Sequence, residues 1–316
     1  MSRELRIVFM GTPEFAVGIL DSMLQSGKQV VGVITAPDKP AGRGRKFFPS
    51  AVKKFALSKN LRLLQPTNLK DEFFLKELKS LDANVQVVVA FRMLPKVVWQ
   101  MPEFGTFNLH ASLLPQYRGA APINWAIINS ETKTGATTFY IDEKIDTGAI
   151  IASKEISIGP RETAGSLHDK LMELGGKLVL ETLELIEQDV AEPKPQPAAQ
   201  DLKEAPKLTS ENTRIDWRKT GKEIDAFIRG LTPYPTAWTI LHNGTENLNI
   251  KIYAAHFEVA THNLEQGKLI SSKKELKVAC SDGYIFIDEI QLPGKRRMDI
   301  SSLLNGYTVE DNANVS

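Results

Sequence analysis

Cysteine is nearly absent: Cys280 stands alone among 316 residues. That excludes an internal disulfide framework and a cysteine-rich zinc site, and it fits a reducing compartment. Charge of one sign is also missing. Lys and Arg number 39 against 38 Asp and Glu, a formal net charge of +1. No global field draws such a chain to nucleic acid or a membrane surface, so any such binding needs local patches. No apolar run approaches the roughly 20 residues of a membrane span. The short run at 7–10 falls short of a secretory signal, so a cytoplasmic protein is expected. Histidine is scarce, five in all, and no Glu-x-x-His spacing occurs. No metal site is expected. One glycine, Gly11, follows the first apolar run, without the three of a dinucleotide fingerprint or a P-loop lysine. NAD and ATP are therefore not expected as cofactors.

What is present reads as two domains, the usual count for this length. Leu5 to Met10 reads as a buried strand turning into a helix near Pro13, with Phe15 to Leu24 supplying the helix. Gln29 to Thr35 and the β-branched run Asn84 to Phe91 read as further strands. Ala51 to Ser58 and Lys70 to Leu81 read as helices between them. Such alternation through residue 111 argues a parallel sheet with crossover helices. Gly165 to Gln188 reads as one long helix, with Gly175-Gly176 as a candidate interruption. Glu192 to Pro206 carries four prolines and no apolar period, a linker by composition. One helix, Gly221 to Gly230, and short alternating segments follow, with turn signals at Asn243-Gly244 and Asp282-Gly283. A small β-barrel is expected there. The boundaries expected are 1–190 for the first domain, 191–209 for the linker and 210–316 for the second.

The chemistry concentrates at Asn108-Leu-His110-Ala-Ser-Leu-Leu-Pro115, with Asp142-Glu-Lys-Ile-Asp146-Thr-Gly148 downstream. Asn108 and His110 are two apart, so on a strand both face one side while Leu109 enters a core. Pro115 cannot donate to a ladder and ends the strand. A donor amide and a titratable ring at a strand end form a polar reaction centre. No Gly-x-Ser-x-Gly elbow surrounds Ser112, which argues against a covalent serine mechanism.

The segment Pro37-Asp-Lys-Pro-Ala-Gly-Arg-Gly-Arg-Lys-Phe-Phe-Pro49 holds three prolines and two glycines and is expected to form an irregular loop. Lys39, Arg43, Arg45 and Lys46 face one acid, Asp38. Cations beside Phe47 and Phe48 suit a phosphate-bearing polymer. A solvated loop with its phenylalanines in the core is the equal alternative.

These residues resemble the 10-formyltetrahydrofolate-dependent formyltransferases. The likeness rests on Asn108 to Pro115, Tyr117-Arg-Gly-Ala-Ala-Pro122 and Asp142 to Gly148. It extends through Met10-Gly-Thr-Pro-Glu-Phe15, the 37–45 segment, Arg214-Ile-Asp-Trp217 and Pro233-Tyr-Pro-Thr-Ala-Trp238, nearly the whole chain. It implies an α/β, Rossmann-like, mostly parallel sheet for catalysis, then a small OB-like barrel. The reaction implied moves a formyl group from 10-formyltetrahydrofolate to the α-amine of methionine esterified to initiator tRNA. Asn108 donates to the oxyanion, as His110 can when protonated, and Asp146 supports His110 and takes up the amine proton. Ser112, Leu113, Leu114, Pro115, Phe91 and Arg92 would meet the folate. Arg43, Arg45, Lys46, Lys295 and Arg296 would meet the tRNA. No metal is implied, and a monomer is expected. One departure stands out. The family has Tyr-Gly where this chain has Phe91-Arg92, which replaces a residue able to take positive φ. Ile123-Asn-Trp125 also resembles the hydrolase domain of formyltetrahydrofolate dehydrogenase. Formyl transfer to glycinamide ribonucleotide or an amino sugar, hydrolysis of the formylfolate, and RNA binding without catalysis remain as alternatives.

Overall fold

The structure, a computed structural model, describes residues 3–41, 46–198 and 200–316. Chain contacts group into two compact units. The first comprises Met1–Gly119, Thr134–Ile156 and His168–Glu204. The second comprises Ala120–Lys133, Ser157–Leu167 and Ala205–Ser316.

The chain opens with β1 (Ile7–Gly11), α1 (Glu14–Gln25) and β2 (Val30–Ile34). A hairpin of β3 (Lys39–Ala41) and β4 (Lys46–Phe48) precedes α2 (Ala51–Ser58), β5 (Leu63–Leu64) and α3 (Glu72–Ser80). Then come β6 (Val85–Val89), α4 (Lys96–Trp99), β7 (Thr106–His110) and β8 (Arg118–Gly119). α5 (Pro122–Ile128), β9 (Lys133–Tyr140), β10 (Ile150–Ser157) and α6 (Ala164–Glu187) follow.

The first unit is built on one sheet, in the order β10-β9-β7-β6-β1-β2-β5. From β5 to β7 the neighbours are parallel, and β9 runs antiparallel to β7. β1 and β6 are buried at every residue, as a sheet covered by helices on both faces requires. The strand order reverses at β1, which has β2 on one side and β6 on the other. Such a switch point leaves a crevice beyond the carboxyl ends of the strands, where ligands settle in open α/β sheets. The carboxyl ends of β6 and β7 lead into residues 90–92 and 111–117.

Two expectations need correction. Residues 39–41 and 46–48 pair as an antiparallel ribbon, so the proline-rich segment is not wholly irregular. Both strands of a two-stranded ribbon are edge strands, the setting in which proline is admitted. Phe48 is 55% exposed rather than tucked into a core. The long helix also runs unbroken through Gly175-Gly176. A Cβ on Gly175 would stand 2.7 Å from Leu109 Cδ2, and one on Gly176 would stand 2.7 Å from Ser22 Oγ. The pair lets α6 approach β7 and α1 closely.

The second unit continues with β11 (Glu204–Ala205), α7 (Gly221–Leu231), β12 (Ala237–Asn243) and β13 (Glu246–Val259). β14 (Leu269–Ser271), β15 (Leu276–Cys280), β16 (Gly283–Gln291), β17 (Met298–Asp299), α8 (Ile300–Leu304) and β18 (Asn314–Val315) complete it. Its sheet runs β14-β15-β16-β13-β12-β18. Leu269 N donates to Ala313 O at 3.1 Å and Val315 N to Gly267 O at 2.8 Å, which closes the sheet into the expected barrel. Burial alternates strictly along β12, one face in and one out. Ile252, Val278, Ile285 and Ile287 fill the interior, joined by Ile224 and Ile228 of α7. α7 starts with a capping box between Thr220 and Glu223. α5 packs on α7, and Asn124 Nδ2 donates to Gly230 O at 2.7 Å. Among the described residues no helix is long and apolar enough to cross a membrane.

Candidate active site

β7 places the centre. Asn108 lies opposite Val88 on one side and Phe139 on the other, and His110 lies opposite Thr137. His110 Nε2 sits 2.8 Å from Tyr117 O. A carbonyl only accepts, so this nitrogen carries a proton. Nδ1 faces Asp146 Oδ2 at 3.8 Å, with the two side chains only 7% and 13% exposed. The same Oδ2 accepts from Gly119 N at 3.0 Å. The ring is thus anchored at Nε2, and Nδ1 is the nitrogen left to act.

The loop carrying Asp146 is held from within. Asp142 Oδ1 accepts from Lys144 N at 2.9 Å and from Thr147 Oγ1 at 2.8 Å. A Cβ on Gly148 would lie 1.7 Å from Tyr140 O, so only glycine fits there. Asp146 itself takes a positive φ of 55°. Asp142, Thr147 and Gly148 serve the loop, and the Asp146 carboxylate faces the histidine.

Asn108 Oδ1 is buried with no hydrogen-bond partner. An unmet buried polar atom costs about 1–3 kcal/mol. An amide oxygen left unpaired one strand turn from a histidine is suited to a donor from outside, as an amine would be. Ser112 Oγ donates to Gln116 O at 2.6 Å, which commits the hydroxyl to the turn. Thr137 Oγ1 donates to Ser112 O at 2.7 Å and accepts from Leu114 N at 3.2 Å, which fixes the turn's main chain. The Leu114-Pro115 bond is cis.

Comparison with known proteins shows what family the chain belongs to. A family model described as formyl transferase matches residues 5–183, and one for the formyl transferase C-terminal domain matches residues 207–308. The chain belongs to the formyl transferase family. It is 62% identical over 312 residues to the methionyl-tRNA formyltransferase of Flavobacterium johnsoniae, covering 99% of each chain. It is 50% identical over 313 residues to the methionyl-tRNA formyltransferase of Bacteroides thetaiotaomicron, covering 98% of this chain and 97% of the other. Among solved structures, HypX from Aquifex aeolicus in complex with tetrahydrofolic acid aligns with a TM-score of 0.65 at 18% identity. That match covers 96% of this chain and 47% of HypX, a likeness of fold.

In this formyltransferase the Phe91-Arg92 departure sits directly after a backbone turn. The positive φ lies at Ala90, 48°, and not at Arg92. Arg92 Nη1 donates to Thr67 O at 2.9 Å, Nη2 donates to Pro66 O, and the guanidinium lies 5.7 Å from the Phe91 ring centre. Partial burial draws the Arg92 pKa below its usual value. The side chain braces the loop that follows β6, and Ala90 supplies the backbone turn.

The cations fall into two groups. Arg43 and Arg45 lie outside the described residues, as does the side chain of Lys46. Lys295 and Arg296 lie in the second unit, exposed on the turn between β16 and β17. Neither makes an ion pair among the described residues. Their neighbour Arg297 does, with Glu289, and lies 4.7 Å from the Tyr253 ring centre.

Two groups at the His110–Asp146 centre escaped the sequence reading. One is the Tyr117 carbonyl, which no side-chain pattern reveals. The other is Gln196. Its Nε2 donates to Asp146 O and to Gly148 O, both at 2.9 Å. Its Oε1 accepts from Arg118 Nε at 3.2 Å and Nη2 at 2.6 Å. The available signal was Pro195-Gln-Pro197, since a residue before proline is held extended.

Proposed function

We propose that this formyltransferase moves the formyl group of 10-formyltetrahydrofolate to the α-amine of methionine esterified to initiator tRNA, giving N-formylmethionyl-tRNA. The observation that carries the reading is identity of 50–62% over nearly the full chain to proteins named methionyl-tRNA formyltransferase. The centre around Asn108 suits the chemistry. Attack of the neutral amine on the formyl carbon forms a carbon–nitrogen bond and puts negative charge on the formyl oxygen. Asn108 Nδ2 is the donor proposed to meet it. The amine sheds one proton, for which the Asp146 carboxylate is the nearest base, with His110 Nδ1 beside it. Cleavage of the bond to N10 then returns a proton to that nitrogen. Burial of the pair keeps bulk water from competing as the acceptor.

Ser112 to Pro115 and the end of β6 at Phe91 and Arg92 are the proposed folate contacts. Arg43, Arg45 and Lys46 are proposed to meet the acceptor end of the tRNA, and Lys295 and Arg296 the acceptor arm. The enzyme is proposed to work in the cytoplasm as a monomer without a metal. The test supplies 10-formyltetrahydrofolate with methionyl-tRNA, glycinamide ribonucleotide or water as acceptor. Transfer to methionyl-tRNA alone is the expected result. Faster transfer to the ribonucleotide or to water would replace the reading, and no transfer to any acceptor would leave a binding protein.

A further inference from the structure

We propose that Gln196 is a positioning residue for formyl transfer, holding the two loops that set His110 and Asp146 against each other. The proposal rests on the roles given above to that pair.

The argument begins with the segment read from composition as a free linker. Ile150 and Lys194 exchange two backbone hydrogen bonds, each 2.8 Å. Tyr117 N donates to Lys203 O at 2.6 Å, and Lys203 N donates to Gln116 Oε1 at 2.8 Å. Gln116 Nε2 returns a bond to Asp201 O at 3.1 Å. The chain is therefore tied to the sheet unit on both sides of Gln196. Flanking prolines at 195 and 197 stiffen it further.

Gln196 uses its whole hydrogen-bonding capacity at this point. An amide nitrogen has two hydrogens, and both go to the Asp146 loop, at Asp146 O and Gly148 O. An amide oxygen has two lone pairs, and both accept from the Arg118 fork. Arg118 stands between the two residues that grip the catalytic pair. Tyr117 O takes the His110 Nε2 proton, and Gly119 N donates to Asp146 Oδ2. One amide thus bridges the loop that orients the imidazole and the loop that carries the carboxylate. Asp146 has a positive φ, a conformation uncommon outside glycine though tolerated by aspartate. Gln196 is the side chain that grips the carbonyls on either side of Thr147.

Gln196→Met keeps the length and bulk and removes every one of these bonds. Misplacing a reacting group by about 1 Å costs about 100-fold in rate, so kcat is expected to fall about 10- to 100-fold. Both KM values, for the formyl donor and for methionyl-tRNA, should stay near wild type. The deciding measurement is a double-mutant cycle with Asp146→Asn. If Gln196 acts through Asp146, adding Gln196→Met to Asp146→Asn costs little more. An equal fold-loss in both backgrounds, or a wild-type kcat for Gln196→Met, overturns the proposal. Should Gln196→Met fail to fold, Gln196→Glu serves instead. It keeps the acceptor for Arg118 but sets a carboxylate against two carbonyls, so kcat falls while the thermal midpoint holds. Wild-type kcat in that variant overturns the proposal as well. Full turnover by Asp146→Asn alone would remove the underlying reading and this proposal together, a result distinct from additivity in the cycle.

Discussion

In the sheet unit, His110 and Asp146 are nearly buried, and backbone groups at Tyr117 and Gly119 grip them. In the barrel unit, Lys295 and Arg296 stand in solvent on a turn, with no ion pair among the described residues. The difference matches the role proposed for each kind of group. Bond-making needs reacting atoms held within fractions of an ångström, and a dry setting in which fixed dipoles act strongly. Meeting a phosphate chain needs only charge within reach, and a long flexible side chain supplies that at little cost in geometry. The roles proposed for the two groups thus sit on different kinds of backbone, a strand end in one unit and a hairpin turn in the other.

The sharpest way to break this contrast is at Asn108. Removing one oxyanion donor costs about 100- to 1,000-fold in turnover. Asn108→Ala and Asp146→Ala are each expected to lose at least 100-fold in kcat, measured with saturating methionyl-tRNA. Asn108→Ala also removes a buried oxygen that no group satisfies, so its thermal midpoint should not fall. Near-normal turnover in either variant would take the residue out of the chemistry.

The next test addresses the barrel. Lys295→Ala with Arg296→Ala should weaken tRNA binding and leave the KM for the formyl donor alone. Each phosphate contact contributes a slope of about 0.9 in log affinity against log salt, so the slope should drop by about 2. An unchanged slope would place the tRNA elsewhere.

A smaller effect separates stability from chemistry. Thr220 caps α7 by accepting from Glu223 N at 3.3 Å, and Glu223 reciprocates. Thr220→Ala should cost about 1 kcal/mol in urea denaturation. Formyl transfer per folded molecule should stay unchanged.

The smallest effect concerns acid. Asp299 caps α8, accepting from Ser302 N, Ser301 Oγ and Ser302 Oγ, with the Ser301 hydroxyl the largest cause. These bonds lower its pKa from 3.8 to about 2. A carboxylate depressed on folding stabilises above its unfolded pKa and loses that contribution as pH falls through the folded one. The stability gap between wild type and Asp299→Asn should be full above pH 3.8 and close as pH approaches about 2. A gap that persists below pH 2 would show that the cap works without its charge.

How much of this was legible in the chain depended on locality. The β-branched run around Val85 to Val89 and the two-residue spacing of Asn108 and His110 carry strand geometry in themselves, so β6 and the facing of the pair could be read directly. The hairpin signals of the barrel were equally local. Gln196 was not legible because its partners lie 78 residues away at Arg118 and 50 away at Asp146. A proline-rich stretch with no apolar period looks free by composition, yet this one is tied down by polar bonds that periodicity does not register. The positive φ at Ala90 was not legible for a related reason, since alanine carries no sequence signal for that conformation. Residues 120–133 adjoin the site motif in sequence but group with the barrel unit, a long-range outcome of α5 packing on α7.

The seam of the barrel has a consequence for how the chain is made. β18 is two residues long, yet it bonds to β12 on one side and to the Gly267–Leu269 strand end on the other. Every other strand of the barrel is synthesised before it. Until residues 313–315 emerge, β12 and β14 have open edges, the kind of surface on which nascent chains pair wrongly with one another. A chain cut short before residue 313 would carry a finished sheet unit and a barrel still unsealed.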